Sequence, residues 1–220
     1  MTEALEQGGG QKRVRGPQRT SREDWVRAAL DTLISDGVAS VKVAILAEQL
    51  DCARSSFYWF FKNRKDLLDA LLDHWQNTNT RAIVSEANKP ADSINYALSN
   101  VFSCWVLDGE FDTKLDFAIR EWARRDGSVR RAVDISDDAR IAALSGMYQR
   151  FGYDAGEADI RARIVYFTQL GYEALDPRDS MLDRAKSGAN YLYCLTGQKP
   201  TQAEVERTVA LTGYSLSDIE

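Results

Sequence analysis

Apolar residues recur along this chain at steps of three and four rather than in alternation, a spacing that predicts helices over most of its length. The first begins at a capping pattern, Ser21 with Asp24 or Thr20 with Glu23. It carries Trp25, Ala28, Ala29 and Leu33 on its core face and stops at Gly37. A short second helix groups Val43, Leu46, Ala47 and Leu50, and Asp51-Cys52-Ala53 breaks it. Residues 54–60 make a third, very short segment. Two short helices joined by a tight turn behind a longer one form a helix-turn-helix outline.

A longer pattern starts at Arg64, with Leu67, Leu68, Leu71, Leu72 and Trp75, and runs to about Ala87. Asp92 is the expected cap of the next helix, where Ile94, Ala97, Leu98, Val101, Phe102 and Trp105 share one face. Leu115, Ala118, Ile119 and Trp122 mark a sixth helix ending near Asp126-Gly127. Three more are expected at about 129–151, 155–175 and 180–195, and Thr201 with Glu204 offers a capping box for a short tail helix. No internal repeat or heptad array is present. The expected fold is all-α, about nine helices. The expected divisions are an arm at 1–19, a helix-turn-helix head at 20–66, a larger helical body at 67–197 and a tail at 198–220.

Composition narrows the chemistry. The chain has 220 residues, 44% hydrophobic and 28% charged, enough to bury a core without staples. It lacks a run of 18 apolar residues, so no membrane span is expected, and residues 1–16 lack the apolar stretch of a secretory signal. Cys52, Cys104 and Cys194 stand far apart without CxxC spacing, which argues against zinc and disulfides and suits the cytoplasm. With one histidine, no P-loop and no nucleophile elbow, neither an enzyme nor a metal or other cofactor is expected.

The net charge of −5 hides an asymmetry. Residues 11–65 hold eleven Lys/Arg against six Asp/Glu, whereas residues 66–220 hold seventeen against twenty-five. A basic front and an acidic remainder point to a polyanion partner for the front alone. Residues 1–19 read as a flexible basic arm (Gly8-Gly9-Gly10, then Lys12, Arg13, Arg15 and Arg19), fit either to settle on phosphates or to remain a solvated tail.

Residues 54–62, Arg-Ser-Ser-Phe-Tyr-Trp-Phe-Phe-Lys, are unusual for a surface segment. At helical spacing Phe57, Phe60 and Phe61 share a broad inner face, leaving Tyr58 and Trp59 outside beside Arg54 and Ser55. In a major groove Arg54 can read guanine or hold a phosphate, and Ser55, Ser56 and Tyr58 can donate to phosphate oxygens. Trp59 can pack on a sugar or a thymine methyl. A small aromatic core satellite is the alternative reading of the same residues.

Four linked pieces resemble the TetR family of transcriptional regulators over about residues 17–70. They are the helix Trp25–Asp36 before Gly37; Ser40-Val41-Lys42-Val43 followed by Leu46-Ala47-Glu48-Gln49-Leu50; Arg54-Ser55-Ser56-Phe57-Tyr58-Trp59-Phe60-Phe61; and Arg64-Lys65-Asp66-Leu67-Leu68. The resemblance implies a repressor that binds a palindromic double-stranded DNA operator as a homodimer and leaves it when a small-molecule effector binds the body. It implies phosphate contacts at Ser21, Lys42, Tyr58 and Arg64, with Phe61 and Leu67 as core; Arg54, Ser55, Ser56, Trp59 and Lys62 complete the candidate DNA-binding residues. Three residues depart from the family pattern: Asp51 for the turn glycine, Ala53 for the Ser/Thr cap, and Ser55 for a glycine. The competing reading is a helical ligand-binding or protein-interaction module whose head no longer reads DNA.

In the body, Phe102, Trp105, Phe117, Trp122, Tyr148 and Tyr166 are candidates for an effector pocket, or simply core; His74 and Arg120 are candidate polar handles, or ordinary surface residues. The family resemblance implies that the helices at 155–175 and 180–195 pair with their copies. The candidate stripes are Ile160, Ile164, Phe167, Gly171 and Ala174 on the first, and Met181, Ala185, Ala189 and Leu192 on the second.

Overall fold

The computed structural model describes residues 20–219, all helices and connecting turns. The arm expected at 1–19 lies outside the described residues. α1 (Arg22–Asp36) opens with a capping box in which the Ser21 side chain accepts from the Asp24 N–H and the Asp24 carboxylate accepts from the Ser21 N–H. It ends where Gly37 turns at φ 77, a conformation that Cβ-bearing residues avoid. A single 3₁₀ turn, Val38–Ser40, leads into α2 (Val43–Gln49). Asp51 then makes the tight turn at φ 47 in place of a glycine.

The expected third helix is a 3₁₀ segment, Arg54–Trp59, rather than an α-helix. Ala53 stands at its N-cap and has no side chain to satisfy the first N–H groups. Phe57 anchors it, fully buried, edge-on to Trp25 at 5.2 Å and stacked on Phe61 at 5.3 Å. α3 (Arg64–Trp75) starts on an Asn63 cap.

The long helix expected from Arg64 to about Ala87 is one continuous rod with a fault in it. α3 passes into a π turn, Gln76–Thr80, and then into α4 (Arg81–Asn88). The π turn coincides with the polar run Gln-Asn-Thr-Asn-Thr. Its Asn79 side chain is buried and clamps the Asp112 backbone, donating to the carbonyl at 2.7 Å and accepting from the N–H at 3.2 Å.

α5 (Ile94–Val106) is capped by Ser93 rather than by the expected Asp92. α6 (Thr113–Ala123) starts on Asp112 and α7 (Gly127–Arg150) on Asp126, so Gly127 opens a helix rather than ending one. α8 (Ala155–Leu175), α9 (Met181–Thr196) and α10 (Gln202–Ala210) follow the expected limits closely, and the Thr201–Glu204 capping box is present.

Two apolar cores result. The first joins Trp25, Leu46, Phe57, Phe61 and Leu71 to Ile119 and Trp122 of α6 and Val129 of α7. The second packs α4 and α5 against α7, α8 and α9 through Ile83, Leu98, Leu144, Met147, Val165 and Leu192. α6 is therefore built into the same core as the helix-turn-helix, and α3 with α4 runs from one core into the other.

Candidate functional site

The outer face of the 3₁₀ segment carries exposed chemistry. Arg54 and Ser55 are exposed, Tyr58 is 62% exposed and Trp59 77%. An indole left in water is costly for a monomer, and here it stands beside a phenol and two cations, Arg54 and Lys62. Lys42, the N-cap of α2, is exposed nearby in sequence, and no acid occupies the first turn of that helix. The first N–H groups of α2 and its positive end are thus available to an anion.

Three expected contact residues have other work. The Ser21 hydroxyl donates to the Asp24 carboxylate inside the capping box. Ser56 donates to the Ala53 carbonyl at 2.7 Å. Arg64 donates from Nε to the Val41 carbonyl and from Nη2 to the Val38 carbonyl, each at 2.5 Å. It straps the start of α3 to the chain that leads into α2. A sequence motif shows the cation but not these carbonyl partners.

In a helix-turn-helix the second helix of the motif lies in the major groove of a duplex. Residues 26–71 match the family described as bacterial regulatory proteins, tetR family. Over those residues the chain is similar to that family. Over 101 residues it is 32% identical to the HTH-type transcriptional regulator TtgR of Pseudomonas putida, covering 44% of this chain and 48% of that protein. That match spans about half the length of the relative. Tetracycline repressor protein class C of Escherichia coli is 25% identical over 197 residues, 89% of this chain and 83% of that one. Among solved structures, Salmonella enterica GusR superposes with a TM-score of 0.56 at 17% identity, covering 87% of this chain and 93% of its own. Mycobacterium smegmatis AmtR gives 0.55 at 18%, covering 89% and 95%. These two share the all-helical fold.

The helical body places its six candidate pocket aromatics in different settings. Phe102 and Trp105 line a groove of about 230 Å³ bounded by α5, α8, α9 and α10. Trp105, Phe117 and Tyr166 line a second, much smaller cavity of about 10 Å³. Tyr148 is fully buried core and donates to the Leu195 carbonyl at 3.1 Å. Trp122 belongs to the head-side core. These two residues line neither space. His74 is exposed on α3, away from both.

Arg120 does lie inside, in a cluster the sequence did not reveal. Its guanidinium grips Asp137 at 2.7 and 3.0 Å and Asp116 at 2.9 Å. Arg140, fully buried, meets the other Asp116 oxygen at 2.9 Å, and the Trp75 indole N–H donates to that same oxygen at 2.7 Å. The Tyr166 hydroxyl accepts from both arginines and donates to Asp137 at 2.6 Å. Burial alone would raise the Asp116 carboxyl, but Arg140, Arg120 and the Trp75 N–H hold it below the usual carboxylate range. Burial pushes the Cys104 thiol up to about 12, so it is packing and not a nucleophile.

The two candidate dimer stripes also separate. Ile160, Ile164 and Phe167 on α8 are 56, 49 and 52% exposed, with Gly171 half-buried and Ala174 exposed beyond them. On α9, Ala185 and Leu192 are buried within the protomer and Ala189 is half-buried. The stripe of small residues on α9 thus faces its own core. Gly188 sits against Thr208 of α10, whose methyl would lie 3.3 Å from an added Cβ. Of the α9 stripe only Met181 is exposed, and the other large apolar residues that α9 exposes are Tyr191 and Tyr193.

Proposed function

We propose that this chain is a cytoplasmic DNA-binding transcriptional regulator, a dimeric repressor released from a palindromic operator by a small-molecule effector. The head at 20–66 reads DNA; the body at 67–197 binds the effector and pairs the protomers. The observation that carries the reading is the exposed Arg54–Trp59 face, with Tyr58 and Trp59 in solvent while Phe57 holds the segment to the core. Arg54, Ser55, Trp59 and Lys62 face the groove, and Lys42 and Tyr58 take phosphates. The apolar stripe Ile160, Ile164, Phe167 on α8 supports an isologous contact with a second copy. Release is a population shift: an effector that favours a head spacing mismatched to the half-sites weakens DNA binding by its difference in affinity for the two states.

Selection of the full chain against random-sequence duplexes at two salt concentrations tests this. An enriched palindrome, with half-sites roughly 34–36 Å apart, is the expected result. Salt-sensitive binding without enrichment would leave only phosphate contacts, consistent with the uncapped 3₁₀ segment. No binding at low salt would remove the DNA function.

A further inference from the structure

The charged cluster leaves one donor over. The Arg140 guanidinium lies 5.0 Å from the centroid of the Trp75 ring and 5.8 Å from that of Phe111. Its Nε donates to Thr80 Oγ1 of the π turn at 3.1 Å, and Nη1 serves Tyr166 and Asp116. Nη2 has no partner among the described residues, although the side chain is wholly buried. A buried cationic N–H without an acceptor is costly, and native proteins rarely tolerate one without a use for it. Arg140 borders the cavity of about 10 Å³, which has room for about one water. Trp105 and Gln169 line both that cavity and the groove of about 230 Å³.

We propose that groove and cavity together form the effector site, and that it takes a neutral, flat aromatic molecule bearing a carbonyl or phenolic oxygen. The ring lies against Phe102, Trp105 and Tyr172 in the groove, and the oxygen reaches past Gln169 to accept from Arg140 Nη2. This deepens, and rests on, the effector-responsive reading above.

Charge argues for a neutral ligand. Asp116 and Arg120 of α6 and Asp137 and Arg140 of α7 already balance, two against two. Glu173 of α8 faces the small cavity, and burial raises its pKa even with Gln169 donating to it and Arg184 of α9 nearby. At the groove, Asp179 accepts from Tyr172 and Asp183 closes the α9 capping box, while Arg184 stacks on Tyr172 at 4.6 Å. A carboxylate ligand would add an unbalanced negative charge beside Glu173. A cationic one would bring no acceptor for Nη2. The ligand oxygen then bonds a guanidinium held by Thr80 of the π turn and, through Asp116, tied to Trp75 of the head-side core. Occupancy is therefore felt where the α3–α4 rod passes from one core to the other.

Binding of 2-acetylnaphthalene, naphthalene, 2-naphthoate and 2-(aminomethyl)naphthalene to the full chain, followed by quenching of tryptophan fluorescence, tests the proposal. The ketone is expected to bind on the order of tenfold or more tighter than each of the other three. The double variant Arg140→Gln/Asp116→Asn, which leaves no unpaired charge on Asp116, is expected to bring the ketone within about twofold of naphthalene. A readout on the unmodified chain avoids any folding defect: the infrared carbonyl stretch of the bound ketone is expected to shift to lower wavenumber. Naphthalene binding as well as the ketone, a charged probe binding best, an unshifted carbonyl, or no probe bound at all would each overturn the proposal. The duplex selection is scored separately. An enriched operator with no probe bound sinks this inference and leaves the regulator standing; a bound ketone with no DNA binding upholds the site and sinks the regulator.

Discussion

Ala53 and Trp59 bracket the segment that would meet DNA, and each breaks a local rule. Ala53 leaves the first N–H groups of a 3₁₀ turn without a side-chain acceptor. Ala53→Ser is expected to add about 0.5–1 kcal/mol of stability, read as a rise of roughly 2–4 °C in thermal midpoint for each kcal/mol in a chain of this size. An unchanged midpoint would mean that solvent already satisfies those N–H groups as well as a serine hydroxyl does. Trp59 at 77% exposed has little to do with the fold. Trp59→Ala should leave unfolding in urea within about 0.5 kcal/mol of the parent while weakening binding to the selected operator roughly tenfold. Fluorescence anisotropy measures the second quantity, and equal affinities would remove Trp59 from the contact surface.

At the scale of the helix, most boundaries are legible because they are local. Ser21, Thr201 and Gly197 announce helix ends through groups within four residues of themselves, and the core faces follow a fixed period. The fold class and the head motif are readable for that reason. The π turn is not, because it depends on Asn79 finding the Asp112 backbone 33 residues away. Nor is the Asp116–Arg140–Arg120–Asp137 cluster, since a charge on a helix looks the same whether it faces water or two partners on other helices. Arg64 misleads for a similar reason: its motif position suggests a phosphate, but its two short bonds go to the Val38 and Val41 carbonyls. The strap predicts a distinct signature. Arg64→Ala should lower stability by about 1–2 kcal/mol and weaken operator binding while leaving its salt slope unchanged. A phosphate contact would instead reduce that slope by about one.

At the scale of the whole molecule, the cluster makes the buried carboxylate of Asp116 one contributor to acid stability. Asp116 titrates below the usual carboxylate range in the folded chain because Arg140 and Arg120 outweigh its burial. A depressed folded pKa gives stability that is fully present above the unfolded value of about 3.9 and is lost as pH falls through the folded one. Asp116→Asn should therefore cost about 3–5 kcal/mol at pH 7, having left two buried guanidinium groups underpaired. The gap between variant and parent should narrow below about pH 4 in urea unfolding across pH 3–7. A gap that stays constant with pH would mean that Asp116 acts by packing alone.

The proposed function also calls for two heads. Ile160, Ile164 and Phe167 lie on one side of α8 and put about half of each side chain into solvent. A patch of three large apolar residues on one helix face is what an isologous contact buries, and the buried Ala185 and Leu192 of α9 cannot contribute to it. In the proposed dimer the two-fold would run chiefly along α8, joined by the outward Met181 and Tyr193 of α9. Ile164→Glu with Phe167→Glu places like charges across that axis and should give a folded monomer in sedimentation velocity. Ala185→Ser, at a position buried within the protomer, should leave the dimer intact. The monomer would present one recognition segment per particle and lose the gain that comes from engaging both half-sites on one duplex. Its affinity for a full palindrome should then fall to that for a single half-site. A dimer that survives both glutamates would move the two-fold off α8 and require a different path from the effector cavity to the spacing of the heads.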